Sequence, residues 1–377
     1  MNAFSPLCTV VSQQVKDFFQ NLHGHQSKTL AMFVLGAIRA ESIVLSRVAE
    51  ALLEESEAAS PSIERRLERF LSNEKIETVE TWETFLAHIL PAFRSAPMRL
   101  VIDVTPYEEH AQVIYVGLLQ PSRVLPLVWK VMPGQEKWEE GFWESIDALF
   151  ARLAPHVGAT SCTIIGDSAF GCFPMVKLCE KYGWHYVFRI CAQHTCQRWS
   201  PQGHLLPTCA VSDLLSAPGK RFHGHVRLWQ EHQIETHVSG WWRPNEEEGL
   251  LVISDLPAGR QRINEYLSRW RVESTFQDLK SRGWDWEKSH VRRLDRVDRM
   301  LLVLFFVVWW LVHLAASCIH QGQRRRYDRA DRRDKSLLRI GRLYLLDIER
   351  RAKNTGNLIS CLLFRRREGK WLFSLRF

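Results

Sequence analysis

The 17 residues from Met300 to Ala316 contain no charged side chain, and no other stretch limits the fold so tightly. A helix over them is apolar around its whole circumference, so it must lie in a protein core or cross a bilayer. Seventeen residues is the short end for a span, and Arg292, Arg293, Arg296 and Arg299 flank the run as they would flank one. His313 within the run, and its place directly after another predicted helix, favour a helix buried against a sheet. With 377 residues, 46% of them hydrophobic, the chain can build two or three domains around a substantial core. Met1 to Gln20 lacks the basic start and apolar centre of a secretory signal.

Upstream of that run, Tyr266, Arg269, Glu273 and Lys280 stand at offsets of 3, 7 and 14 from the tyrosine, with no Gly or Pro before Gly283. On a helix they fall at roughly 0°, −60°, −20° and −40°, one narrow stripe. Such a stripe is often only a solvated face with i,i+4 pairing. Two aspartates give it more meaning. Asp103 follows the strand-forming run Leu100-Val101-Ile102, and Asp167 follows Ile164-Ile165-Gly166. Either alone reads as a turn or cap residue. Together with a helix-borne Glu they make an acidic centre at strand ends, where reactive groups gather because the strand is rigid and the loop open. Three such carboxylates would repel one another unless cations joined them. Oxygen-only donors suit Mg²⁺, with Mn²⁺ as substitute, and two such ions suit phosphodiester displacement.

These residues resemble the DDE transposases of bacterial insertion sequences, in the group with the signature Y-x2-R-x3-E-x6-K. Tyr266, Arg269, Glu273 and Lys280 fit it without a gap, and Asp103 and Asp167 match the family's two aspartates; the likeness spans about residues 98–315. The resemblance implies a ribonuclease-H-like α/β core with a mixed sheet, split by a β-rich insertion. It implies Asp103, Asp167 and Glu273 as catalytic metal ligands, and Tyr266, Arg269 and Lys280 as contacts to DNA phosphates. It further implies cut-and-paste transposition of double-stranded DNA, usually through a hairpin, by a synaptic homodimer in the bacterial cytoplasm. A structure-selective nuclease on the same core, or a DNA-binding remnant without catalysis, is the alternative.

The pattern of apolar residues predicts strands over 99–104, 111–119 and 122–130, then an amphipathic helix from Glu136 to Ala154 on Trp138, Phe142, Ile146, Leu149, Phe150 and Leu153. A strand over 161–166, a helix over 173–182 and a strand over 184–190 follow. From 191 to 260 short alternating runs, His223–Trp229, His232–Val238 and Leu250–Ile253, are broken by turn signals, the texture of antiparallel β-structure. Trp199, Trp241 and Trp242 there fill a small core or stack on an unpaired base. Cys191, His194, Cys196 and Cys209 fit no standard zinc spacing. The nine scattered cysteines contain no CxxC pair, which fits a reducing compartment.

Charge is uneven. The net +8 comes from a tail, 321–377, that carries +11, while the remaining 320 residues carry −3. Arg324–Arg326, Arg332-Arg333, Arg350-Arg351 and Arg365–Arg367 make the tail a basic helical region for DNA contact or dimerisation, with RNA or anionic lipid as other polyanions. Residues 1–97 read as a helical domain with helices over Thr29–Leu53, from Ser60-Pro61-Ser62 onward, and over 78–93. The resemblance places recognition of terminal repeats there, with Ser42–Glu54 and Ser62–Phe70 as the reading pair, although nine basic against twelve acidic residues give no basic stripe. The expected domains are 1–97, 98–190 with 261–320 as the split core, 191–260 as the insertion, and 321–377.

Overall fold

A computed structural model describes residues 6–134, 141–280 and 283–355, with one pair of short strands at 366–367 and 370–371. The expectations for Glu136–Glu140, including Trp138, and for Arg365 lie outside the described residues. Five helices come first: α1 (Pro6–Phe18), α2 (Gly24–Ala40), α3 (Leu45–Glu50), α4 (Ser60–Leu71) and α5 (Thr78–Ile89). The single helix expected over Thr29–Leu53 is two. Glu41 turns left-handed at φ 50°, and the Ile43 N–H donates to the Trp284 carbonyl at 2.8 Å instead of continuing the helical ladder.

The sheet then begins with β1 (Met98–Tyr107), β2 (Ala111–Leu119) and β3 (Val124–Pro133), an antiparallel meander. Helix α6 (Phe142–Val157) crosses over to β4 (Cys162–Gly166), and α7 (Phe173–Tyr182) leads to β5 (His185–Arg189). β4 lies parallel to β1 and β5 parallel to β4, as crossover helices require. The strands of the middle segment are β6 (Thr195–Arg198), β7 (Cys209–Ala210), β8 (Arg221–Leu228), β9 (Ile234–Trp241) and β10 (Leu250–Ser254). They do not form a separate β-unit. β10 pairs antiparallel with β5, so one ten-stranded mixed sheet runs β3-β2-β1-β4-β5-β10-β9-β8-β6-β7. Without β10, β5 would present an open backbone edge.

After the sheet come α8 (Arg260–Leu267), a 3-10 turn over Ser268–Trp270, α9 (Arg271–Leu279), α10 (Leu294–His320) and α11 (Leu337–Thr355). α10 contains the uncharged run. It is long and apolar enough to cross a membrane, yet 89% of its most apolar window is buried inside the protein. It packs on β3, α2, α4, α5 and α11. Trp309 on it donates to the Pro126 carbonyl of β3 at 2.6 Å, and Asp298 accepts from Trp129 at 2.7 Å. The rings of Phe18, Phe19 and Phe85 close on Phe306 with centroids 5.0 to 6.1 Å apart. The N-terminal helices therefore share one hydrophobic core with α10 and the sheet edge. In the basic tail, Asp347 accepts from Tyr327 at 2.6 Å and pairs with Arg326, Arg350 and Arg351. Burial pushes its carboxyl up, but the phenol and the three guanidinium groups outweigh this and hold it at about 2.

Candidate active site

Asp103 is not at a strand end. β1 runs four residues past it to Tyr107, paired throughout with β2. What ends is the neighbour: β4 pairs with β1 only from Met98↔Cys162 to Val101↔Ile165. Continuing that register by two residues sets Asp103 beside Asp167, in the open notch where β1 outlasts β4. The tight turn after β4 presents Asp167: its Oδ1 accepts from the Ala169 N–H at 3.0 Å and its carbonyl from Phe170 at 3.2 Å. Gly171 is required here, since a Cβ would stand 2.1 Å from the Arg189 carbonyl.

Glu273 reaches the same face from α9. Phe276 packs edge-on against Tyr115, the register partner of Asp103, with centroids 5.2 Å apart. Thr275 Oγ accepts from the Val124 N–H at 3.1 Å, and Arg123 donates to Asp278 at 3.0 Å, clamping α9 onto the edge strand β3. Glu273 itself is half-buried and makes no hydrogen bond or ion pair among the described residues.

The stripe expected over one continuous helix is bent. The 3-10 turn at Ser268–Trp270 separates Tyr266 on α8 from Glu273 on α9, and Lys280 lies just past the end of α9. Gly283 lets the chain turn there, because a Cβ would meet the Asp278 carbonyl at 1.9 Å. Lys280 pairs with Glu287 at 3.0 Å. Tyr266 is buried, with the Arg269 guanidinium 5.9 Å from its ring centre. Arg269 Nη1 donates to Asp103 Oδ2 at 2.8 Å; the two side chains are only 12% and 11% exposed.

Burial drives the Asp103 carboxyl up to about 6; Arg269 opposes this, Asp167 adds to it, the Val104 N–H opposes it and Glu273 adds to it. Asp103 thus feels one acid from the β4 turn and one from α9. As they are seated, among the described residues no three Asp, Glu, His or Cys side chains converge closely enough to hold one ion. The cation beside Asp103 is Arg269. The donor chemistry nonetheless fits a hard divalent ion: carboxylates only, with the charged form of the most buried one poorly solvated.

One residue the sequence reading passed over is Trp270. It is 62% exposed, and with Arg269, Tyr266, Trp241 and the ion pairs Arg189–Glu248 and Arg243–Glu246 it lines a cavity of about 230 Å³, in whose wall Arg269 is also the ion-pair partner of Asp103. Its signal in the sequence was an aromatic between two arginines inside a charged stripe. Trp241 is half-buried, packed against the hydrophobic core on one side and with Arg243 4.8 Å and Arg221 5.4 Å from its ring centre. Of the cysteines weighed for zinc, Cys196 and Cys209 face each other across β6 and β7 at 3.8 Å, while Cys191 is exposed and turned to Gln193.

The fold is a mixed α/β sheet with one acid on β1, a second on the turn after β4 and a third on the helix α9 that follows the sheet. The family model described as "Transposase DDE domain" matches residues 119–310, just over half the chain, including Asp167 and Glu273. The chain belongs to that family. A solved structure, that of the piggyBac transposase synaptic complex with hairpin DNA, is similar at 12% identity and a TM-score of 0.43, covering 96% of this chain and 84% of that one. No curated protein matches.

Proposed function

We propose that this chain is an active DNA transposase of the insertion-sequence type, moving its element by cut and paste. Its first five sheet strands, in the order β3-β2-β1-β4-β5, serve as a ribonuclease-H-like core, extended by β6–β10 as the insertion. The observation that carries the reading is geometric: the β1–β4 register brings Asp103 beside Asp167 in the notch where β4 ends, and α9, clamped onto β3, carries Glu273 toward the same face. Asp103, Asp167 and Glu273 are the residues that would hold divalent ions, Mg²⁺ or Mn²⁺, which supply Lewis-acid stabilisation to an in-line phosphodiester displacement.

The chain's own side chains do the rest. Clamping of α9 by Thr275 and Arg123 fixes where Glu273 starts, and the turn at Gly171 fixes Asp167. Arg269 neutralises Asp103 until a DNA phosphate competes for the guanidinium; with Tyr266 and Lys280 it then positions the cleaved end. The cavity between Trp270 and Trp241 suits a base turned out of the stack, which supports the hairpin route. Two copies of the chain acting on paired element ends complete the proposal.

The test is incubation with Mg²⁺, a plasmid and a labelled element-end fragment. Cleavage with end-joining products is expected from the wild type, and Asp167→Ala should bind DNA yet neither cut nor join. Cutting without joining would favour a nuclease on the same core, and residual cutting by the variant would overturn the site assignment.

A further inference from the structure

The sheet does not stop at the acids. Through the pairs Val101↔Ile165, Ile165↔Val187, Arg189↔Val252, Val252↔Ser239 and Ser239↔His223, one face of the sheet passes from β1 to β8. Asp103 lies on that face. α8 covers it at β9 and β10, where the Gly259 N–H donates to Ser239 Oγ at 2.9 Å. Past α8 it opens again on β8. There strict alternation sends Phe222, Val226 and Leu228 to the far side and Arg221, His223, His225 and Arg227 to this one.

Two tryptophans flank the row. At its near end Trp241, the register partner of Arg221, joins the cavity beside Arg269 and Trp270. At its far end Trp199 stacks on His225 with ring planes 16° apart and lies 5.4 Å beneath the Arg227 guanidinium, which also pairs with Glu235. The i,i+2 spacing of about 6.8 Å along β8 matches one nucleotide step of an extended strand. Arg221 and Arg227 stand three such steps apart, with the rings of His223 and His225 between them and a tryptophan at either end, so that phosphates can meet the cations and bases the rings of one strand. A duplex offers no unstacked base to Trp199.

We infer that this face of β8 is a track for one unpaired DNA strand, running from the cavity at Trp241 to Trp199. The inference rests on the transposase reading for its ligand, and its test separates the two. Binding of a labelled 12-nucleotide single strand and a 12-base-pair duplex to the full chain is followed by anisotropy between 50 and 300 mM salt. For the single strand, Arg221→Ala/Arg227→Ala should reduce the slope of log K against log salt by about 1.4, and Trp199→Ala should weaken binding about tenfold. Duplex affinity should change far less. Far-UV dichroism and melting of each variant establish that the sheet has formed; Arg227→Lys/Arg221→Lys, which keeps both charges, should retain the wild-type slope. Wild-type binding of single strand with neither slope nor affinity moved by the variants would overturn the track and leave the transposase reading standing. Equal losses on duplex would also overturn it. A wild-type chain that binds neither form would remove both.

Discussion

Replacing Arg269 by Ala tests the arrangement of the site in the metal-free protein. Arg269 is, among the described residues, the cation that hydrogen-bonds Asp103, at 2.8 Å, with both side chains nearly out of solvent. Breaking a buried pair leaves one charge uncompensated and costs about 3–5 kcal/mol. The residual exposure of 11–12% puts this pair at the lower end, about 3 kcal/mol. For a chain of this length that is a fall in Tm of about 4 °C. The loss must depend on pH. Folded Asp103 holds its proton more tightly than the unfolded chain, at about 6 against 3.8, so its ionisation costs stability as pH rises through that window. Removing Arg269 raises the folded value further, so the penalty grows as pH rises from about 6 toward 8 and fades as pH falls toward 5. Thermal melts of wild type, Arg269→Ala, Asp103→Asn and the double variant in EDTA form the cycle, with an expected coupling of about 2–3 kcal/mol at pH 8. Added Mg²⁺ should then stabilise Arg269→Ala more than wild type, since no guanidinium competes for the carboxylate. A variant as stable as wild type at pH 8, or a loss unchanged from pH 5 to 8, would refute the pairing as the main restraint on Asp103.

Trp270→Ala should leave the fold intact, because the ring is 62% exposed, yet weaken capture of an unpaired end base by about 1–3 kcal/mol; 2-aminopurine at the end, still quenched as in wild type, would contradict this. Phe306→Ala removes a fully buried ring from the cluster with Phe18, Phe19 and Phe85 and should cost about 3–5 kcal/mol. Because these helices share their core with the sheet, urea unfolding should shift as one transition, and separate loss of the N-terminal helices would argue against a shared core. Asp347 has its carboxyl lowered to about 2, so its contribution is present above the ordinary value near 4 and is lost as pH falls from there toward 2. The Tm gap between wild type and Asp347→Asn should therefore be constant at neutral pH and shrink below about pH 4; a gap that widens in acid would reverse the sign.

Local pattern settled a large part of this molecule. Alternation and helical periodicity place β1 to β5 and α7 within a few residues, and α6 from Phe142 on, because each element buries one face and its sequence must show which. The acids and the Tyr-Arg-Glu-Lys spacing stand out as candidates for a similar reason: groups able to do such chemistry are few and chemically distinctive. The charge-free run of α10 dictated burial, since such a surface has no stable place in water, but not what would cover it. Covering was decided by tertiary packing, with α2, α4, α5, α11 and β3 supplying the apolar partners. So was the fate of the segment 191–260, because strand pairing across long separations leaves no local mark and the open edge of β5 chose β10. The break between α8 and α9, and the Arg269–Asp103 pair, follow from the same cause. Spacing along a chain tells which side chains share a helix face, whereas which charge meets which is set by how separate elements are pressed together, where burial makes one contact worth more than any propensity.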